Sequence, residues 1–256
     1  MENAPTLRIP RRRQAPDRVA PYRELVTSPD PQDKDPKLPA WRRSTAGETR
    51  WPATGVVVVT LALQLVLPHE VVLAPWWLLP GLSVLLIIAL LLINPGRMGE
   101  FSTVERIVSL AVVAVVSVAN GGSAVQLVLG IADSSFRGHA VQVLVSGGIV
   151  YWTNIVVFSL WYWEFDRGGP ARRADGQAQY ADLQFPQMDS PELTHDDWEP
   201  RYLDYLYLAF TNATAFSPTD VMPLKIWAKM TMMLQAIISL LVAVMVIAWA
   251  IGALQN

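Results

Sequence analysis

Five stretches of this chain are apolar for longer than a soluble helix or strand needs, and none contains Asp, Glu, Lys or Arg. They are Trp51–Leu67, Val71–Asn94, Ile107–Ala132, Ala140–Trp163 and Met230–Leu254, 17 to 26 residues each. A helix needs roughly 20 such residues to cross a hydrocarbon core. Unpaired backbone groups are not tolerated in lipid, so helices are the natural reading. The pattern predicts an all-α integral membrane protein with about five transmembrane helices. The first stretch is the shortest, bounded by Pro52 and Pro68, and a buried or re-entrant hairpin would give the same signal. A hydrophobic content of 52% against 16% charged residues agrees with a bilayer as solvent.

Absent residue types narrow the chemistry. There is no cysteine, which excludes disulfides and thiolate metal sites. His69, His139 and His195 are scattered through loops with no ligand spacing, so no metal or cofactor is expected. The chain carries no phosphate-cradling glycine loop, no HExxH and no nucleophile elbow, and it is read as not an enzyme. Charge is missing from all five apolar stretches, which argues against proton-coupled transport. The polar side chains inside them, Gln64, Asn120, Gln126, Asn154 and Gln235, are of the kind that hydrogen-bond between helices. Gly121, Gly122, Gly147 and Gly148 are expected to loosen or kink spans three and four.

Four segments follow. Residues 1–50 hold eight prolines and eleven of the twenty Lys and Arg residues, and predict a disordered basic tail. Such a tail can touch anionic lipid headgroups, each basic residue contributing about 1 kcal/mol near the surface. No nucleic acid is expected as a partner. Residues 51–163 form a four-helix membrane region. Residues 164–200 form an acidic soluble loop, with nine acidic and three basic residues between Glu164 and Glu199. Residues 201–256 comprise a short helix ending near Thr214, a polar segment and the final transmembrane helix. Asp196, Asp197 and Glu199 suit the positive start of that short helix. From Arg201 on it is too short to cross, so it is re-entrant or interfacial.

The polar segment carries the candidate site: Thr214, Ala215, Phe216, Ser217, Pro218, Thr219 and Asp220. Pro218 drives Ser217 out of helical angles, so the chain opens there. Hydroxyls at Thr214, Ser217 and Thr219 then lie beside the Asp220 acid. A short helix, an extended polar stretch, an acid and a long helix form the order of a pore loop.

"TAFSPTDVMP", Thr214–Pro223, resembles a degenerate tetrameric potassium-channel filter, which reads T-x-V-G-Y-G-D followed by proline. Thr214, Asp220 and Pro223 match; Ser217, Pro218 and Thr219 replace the Gly-Tyr-Gly core whose glycines let each carbonyl face the ion. This likeness implies a cation pore for monovalent ions, a homo-oligomer (a tetramer if a pore), and Asp220 attracting cations at its mouth. A broader likeness covers Tyr180–Leu254. "LQFP" (Leu183–Pro186), "YLDYLYLAFT" (Tyr202–Thr211) and "FSPTDV" (Phe216–Val221) resemble the bacterial membrane proteins with domain of unknown function 1345. That likeness implies several spans and no activity. The alternative to a pore is a non-conducting membrane scaffold or partner-binding subunit, with the same stretch serving as a helix connection capped by Ser217, Thr219 and Asp220.

Topology divides these readings. With five spans and a cytoplasmic amino terminus in the plasma membrane, ten basic residues near the membrane lie inside and only Arg137 outside. The loop and pore-like stretch are then cytoplasmic, whereas a potassium-type hairpin enters from outside. Either the first stretch fails to cross, which moves the loop outside, or the hairpin is inverted or interfacial.

Overall fold

The computed structural model describes residues 38–73, 75–93, 102–133, 136, 140–176, 180–214 and 219–254. Its helices are α1 (Trp51–Gln64), α2 (Leu78–Ile93), α3 (Thr103–Ala132), α4 (Ala140–Phe165), α5 (Pro170–Ala174), α6 (Pro186–Asp189), α7 (Tyr202–Thr214) and α8 (Ile226–Leu254). A two-residue strand β1 (Leu183–Gln184) pairs antiparallel with β2 (Met222–Pro223). Among the described residues three helices are long and apolar enough to cross a membrane: Thr103–Ala132, Val141–Gly168 and Ile226–Gly252.

Helix α4 is the mast of the bundle, with α3, α7, α8 and α1 packed around it. Its apolar window is 72% buried, against 39% for α3 and 22% for α8. Polar pairs fix the direction of each neighbour. Trp161 bonds Ser117 on α3 at 3.0 Å, and Asn154 bonds Ser239 on α8 at 2.9 Å. With Ser109 of α3 on Glu164 and Val246 of α8 against Gly147, both helices run antiparallel to α4. Of the glycines in spans three and four singled out in the sequence, Gly122 and Gly147 are points of close approach, whereas Gly121 and Gly148 face open space. A Cβ on Gly147 would stand 2.6 Å from Val246 of α8, and one on Gly122 would overlap Leu73. Large apolar side chains on the outer faces of α1, α2, α3 and α8 are left exposed, including Val59, Leu85, Leu92, Val118 and Ile247. An apolar mantle of that extent is consistent with a membrane protein.

Helices α1 and α2 differ from the expected full spans. The first apolar stretch yields 14 helical residues and the second 16, because the second does not turn helical until Leu78. At 1.5 Å per residue these are about 21 and 24 Å long, short of a core roughly 30 Å thick. They form an antiparallel pair of matched height. Arg50, just before α1, donates to the carbonyl of Leu90 near the end of α2 at 3.4 Å. At the other end Gln64 and Leu67 close a small cavity with Leu79, Pro80, Ala119 and Ser123.

Residues 41–50, 166–201 and 222–225 gather where α4 stops, which we call the loop end. The start of α3 reaches it, with Arg106 donating to Gly168 O and Ser109 to Glu164. Ser102 caps α3 by accepting from the amide of Glu105, whose own side chain pairs with Arg50. Beyond α4 the chain makes a tight reversal: Arg167 sits at φ 52 and is followed by Gly168 and Gly169 at φ 85 and 99. A non-glycine residue there costs of order 1–3 kcal/mol and needs its surroundings to hold it. Asp182 does so, accepting from the Arg167 amide at 3.1 Å.

Two expected segments are corrected. The tail is not disordered up to residue 50. From Leu38 onward it is packed on the bundle, and Ala40 and Arg50 are buried. Likewise the 164–200 segment is no free acidic loop, since Glu164, Asp166, Arg167, Arg173 and Asp182 are all buried. Their charges face one another rather than water, as buried charge must.

Candidate functional site

Helix α7 begins at the loop end and ends inside the bundle. Tyr202 packs edge-on against Trp163 of α4, with ring centroids 5.7 Å apart. Its hydroxyl lies 3.0 Å from Ser159, and Tyr205 donates to Asp166 at 2.6 Å. Twelve residues after Tyr202 the helix ends at Thr214, as the sequence predicts. Its start is Tyr202 instead of the Asp196–Glu199 acids, because Pro200 and the cap by Asp204 fix the first turn. The Asp204 carboxylate accepts from the Arg201 amide at 2.8 Å. The buried face is Tyr202, Tyr205, Leu208 and Ala209.

The inner end of α7 is sealed by side chains from α4 and α8. Gln235 of α8 donates to the carbonyl of Ala209 at 2.7 Å. Its own carbonyl accepts from Tyr162 of α4 at 2.7 Å and from Asn212 of α7 at 2.8 Å. Asn212 also donates to Met232 O at 2.9 Å, and Tyr151 donates to Ala213 O at 2.7 Å. Thr211 and Thr214 turn their hydroxyls back to carbonyls of their own helix, Tyr207 and Leu208 for the first, Phe210 and Thr211 for the second. Of the four carbonyls that the end of α7 leaves open, Ala213 O is thereby taken up by Tyr151 and Thr211 O by Thr214.

The chain reappears at the loop end. Pro223 pairs with Leu183, and Leu224 donates its amide to Asp182 O at 2.9 Å. Asp182 therefore holds three pieces together: the reversal after α4, the segment before α8, and the start of α8. Its carboxylate accepts from Trp227 at 3.2 Å and pairs with Lys225 at 2.6 Å.

Of the residues singled out in the sequence, Thr214 is the exposed last residue of α7. Ala215, Phe216, Ser217 and Pro218 lie outside the described residues. Thr219 is half-buried and donates to Val221 O at 3.0 Å. Asp220 is exposed. Neither Thr219 nor Asp220 caps the following helix, since α8 starts only at Ile226. The polar residues that do converge are Tyr151, Tyr162, Asn212 and Gln235. Gln235 alone was visible in the sequence, as an amide in an apolar run. The two tyrosines read as aromatic packing, and Asn212 read as part of a polar stretch.

The loop end is the second concentration of polar groups. Arg173 donates to the carbonyls of Trp163 and Asp166 at 2.6 and 3.0 Å, and its guanidinium lies over the Tyr205 ring. Arg167 donates to Trp41 O at 2.5 Å. Glu48 accepts from Trp163 Nε1 at 2.8 Å and from the Tyr202 amide at 2.5 Å. Residues on both sides of the membrane region, 41–50 and 163–205, thus meet at one end. Helices α1 and α2, 14 and 16 residues long, bring the chain back to this same end.

Set beside known proteins, the chain matches no family model, no curated protein and no solved structure.

Proposed function

We propose that this is a non-conducting multi-pass membrane protein, a scaffold or partner-binding subunit, in which α7 enters the bilayer from the cytoplasmic face and doubles back. On this reading α3, α4 and α8 cross the plasma membrane, α1 and α2 form a re-entrant pair, and the amino terminus is inside. The meeting of residues 41–50 with residues 163–205 supports a common side for the amino terminus and the loop. The basic residues gathered near that end favour the cytoplasmic side. Reporter fusions at Gln177 and after Asn256 test it: a cytoplasmic signal at the first and an external one at the second are expected. An external signal at Gln177 would overturn the orientation.

The observation that carries the non-conducting reading is the sealing of α7's inner end by Gln235 and Tyr151. A pore helix leaves its terminal carbonyls facing the ion path, whereas here the Ala213 carbonyl accepts from Tyr151 and Gln235 grips the last turn from α8. The exposed Leu203, Tyr207, Phe210 and Thr214 line one side of α7, and both its threonine hydroxyls are satisfied internally. Such a face suits acyl chains or a neighbouring apolar helix. Purified protein in liposomes is expected to show no potassium or sodium flux above protein-free vesicles.

The second reading, a degenerate cation pore, is favoured by the in-and-back course of α7 and by the exposed Asp220 beyond it. Flux that falls on Asp220→Asn would establish that reading and remove the first.

A further inference from the structure

The segment ahead of α1 is tied to structure that lies more than a hundred residues further along the chain. Arg43 donates to Asp196 O at 2.8 Å, the Thr45 amide to Ala174 O at 2.9 Å, and the Thr45 hydroxyl to Glu199 at 3.0 Å. Arg167 reaches back to Trp41 O, and its guanidinium also lies 5.5 Å from the Trp41 ring centre. The backbone passes so close to Gly176 that a Cβ there would stand 2.7 Å from Arg43 and Ser44 main-chain atoms. Gly176 also has φ 68, so a side chain is refused twice.

Glu48 is the central tether. Its two carboxylate oxygens accept from two different helices, Oε2 from the Trp163 indole in the last turn of α4 and Oε1 from the first amide of α7. Helix starts present amides with no partner of their own, and α7 takes its acceptor from a residue 154 positions earlier. The base of the hairpin is therefore completed by the amino-terminal segment.

We infer that Trp41–Arg50 is a clamp on the base of α7, pinned by Glu48, through which movement of the amino-terminal segment frees or holds the hairpin. Removing the pin leaves the α7 amide and the Trp163 indole without acceptors while the bundle of α3, α4 and α8 keeps its own contacts. The inference stands whether or not the hairpin conducts, because it concerns only what holds α7.

The pin also has a characteristic pH response. Burial pushes the Glu48 carboxyl above its ordinary value of 4.5, opposed by its bonds from Tyr202 and Trp163 and by Arg173 of α5, and assisted by Glu199 just ahead of α7. Arg167 lines the same cleft, α4 contributes Trp163 there, and the buried Glu164 of α4 shares Arg173 with Glu48. A carboxyl whose pKa is raised when seated binds its proton more tightly seated than released. By linkage the clamp is tightest in acid, and it weakens as pH rises from about 4.5 through the raised value.

Hydrogen exchange on the full chain in nanodiscs tests this, with α3 as internal reference and rates corrected for intrinsic pH dependence. Glu48→Ala is expected to raise exchange in the first turn of α7 about fivefold, the size of a lost helix cap, and to leave α3 unchanged. The native protein should lose protection in that turn as pH rises, and Glu48→Ala should abolish the trend. Arg43→Ala and Thr45→Val, each removing one outer tether, should raise exchange about twofold at the same place. Glu48→Gln retains one acceptor and should fall between native and Glu48→Ala. The inference fails if α7 exchange is unmoved in all these variants, if α3 and α8 loosen to the same extent, or if acid instead of base releases α7.

Discussion

Gln235→Leu is expected to cost the protein about 3 kcal/mol of stability, although leucine suits an apolar helix better than glutamine does. Three hydrogen bonds disappear together: those from Tyr162 and Asn212 to the amide carbonyl, and the one from the amide to Ala209. Each is worth about 1 kcal/mol, and the buried Tyr162 hydroxyl loses the acceptor that Gln235 gave it. Leu234, one residue earlier, is 52% exposed, and Leu234→Ala should change stability by less than about 0.5 kcal/mol. Unfolding by sodium dodecyl sulfate in mixed micelles measures both. A loss below about 1 kcal/mol for Gln235→Leu would mean that α7 is not anchored from α8. It would also take away the support for a sealed hairpin end.

Asp166→Asn should be as damaging at the opposite end of α7. The carboxylate is fully enclosed, accepts from Tyr205 at 2.6 Å and lies 3.4 Å from the Arg167 guanidinium. Arg167 and Arg173, both buried, are left with no neutralising charge from the residue between them and α7. Removing one partner from a buried charged cluster costs about 3–5 kcal/mol, most of it the penalty of the charge left behind. The same unfolding titration reads the effect. Asparagine preserves the shape, so a near-native result would show that geometry, not charge, organises the loop end.

Hydropathy made the long helices legible because lipid imposes a length and forbids charge, and both constraints act on sequence directly. The end of α7 at Thr214 was equally legible, since Pro218 follows and the apolar period stops. The loop end was not. Glu164, Asp166, Arg167, Arg173 and Asp182 look like solvated charge when read in order, and only tertiary folding reveals that they neutralise one another. The same holds for Trp41–Arg50: proline and arginine upstream suggest a tail, yet Trp41, Gly47 and Glu48 are the residues of a packed segment. Helices α1 and α2 failed in the other direction. Their apolar stretches are long enough to cross, but Pro68, the turn at His69–Val71 and Pro75 take up length that a full span would have used.

The tether between Glu48 and α7 has a consequence for biosynthesis. Glu48 leaves the ribosome 115 residues before Trp163 and 154 before Tyr202. At about 5–20 residues per second, its carboxylate waits roughly 10–30 s for the second of these contacts. Throughout that interval it remains hydrated at the membrane surface while successive helices insert. A late-arriving helix completes the seat of Glu48, so a nascent chain halted before Tyr202 would hold that carboxylate by Trp163 alone.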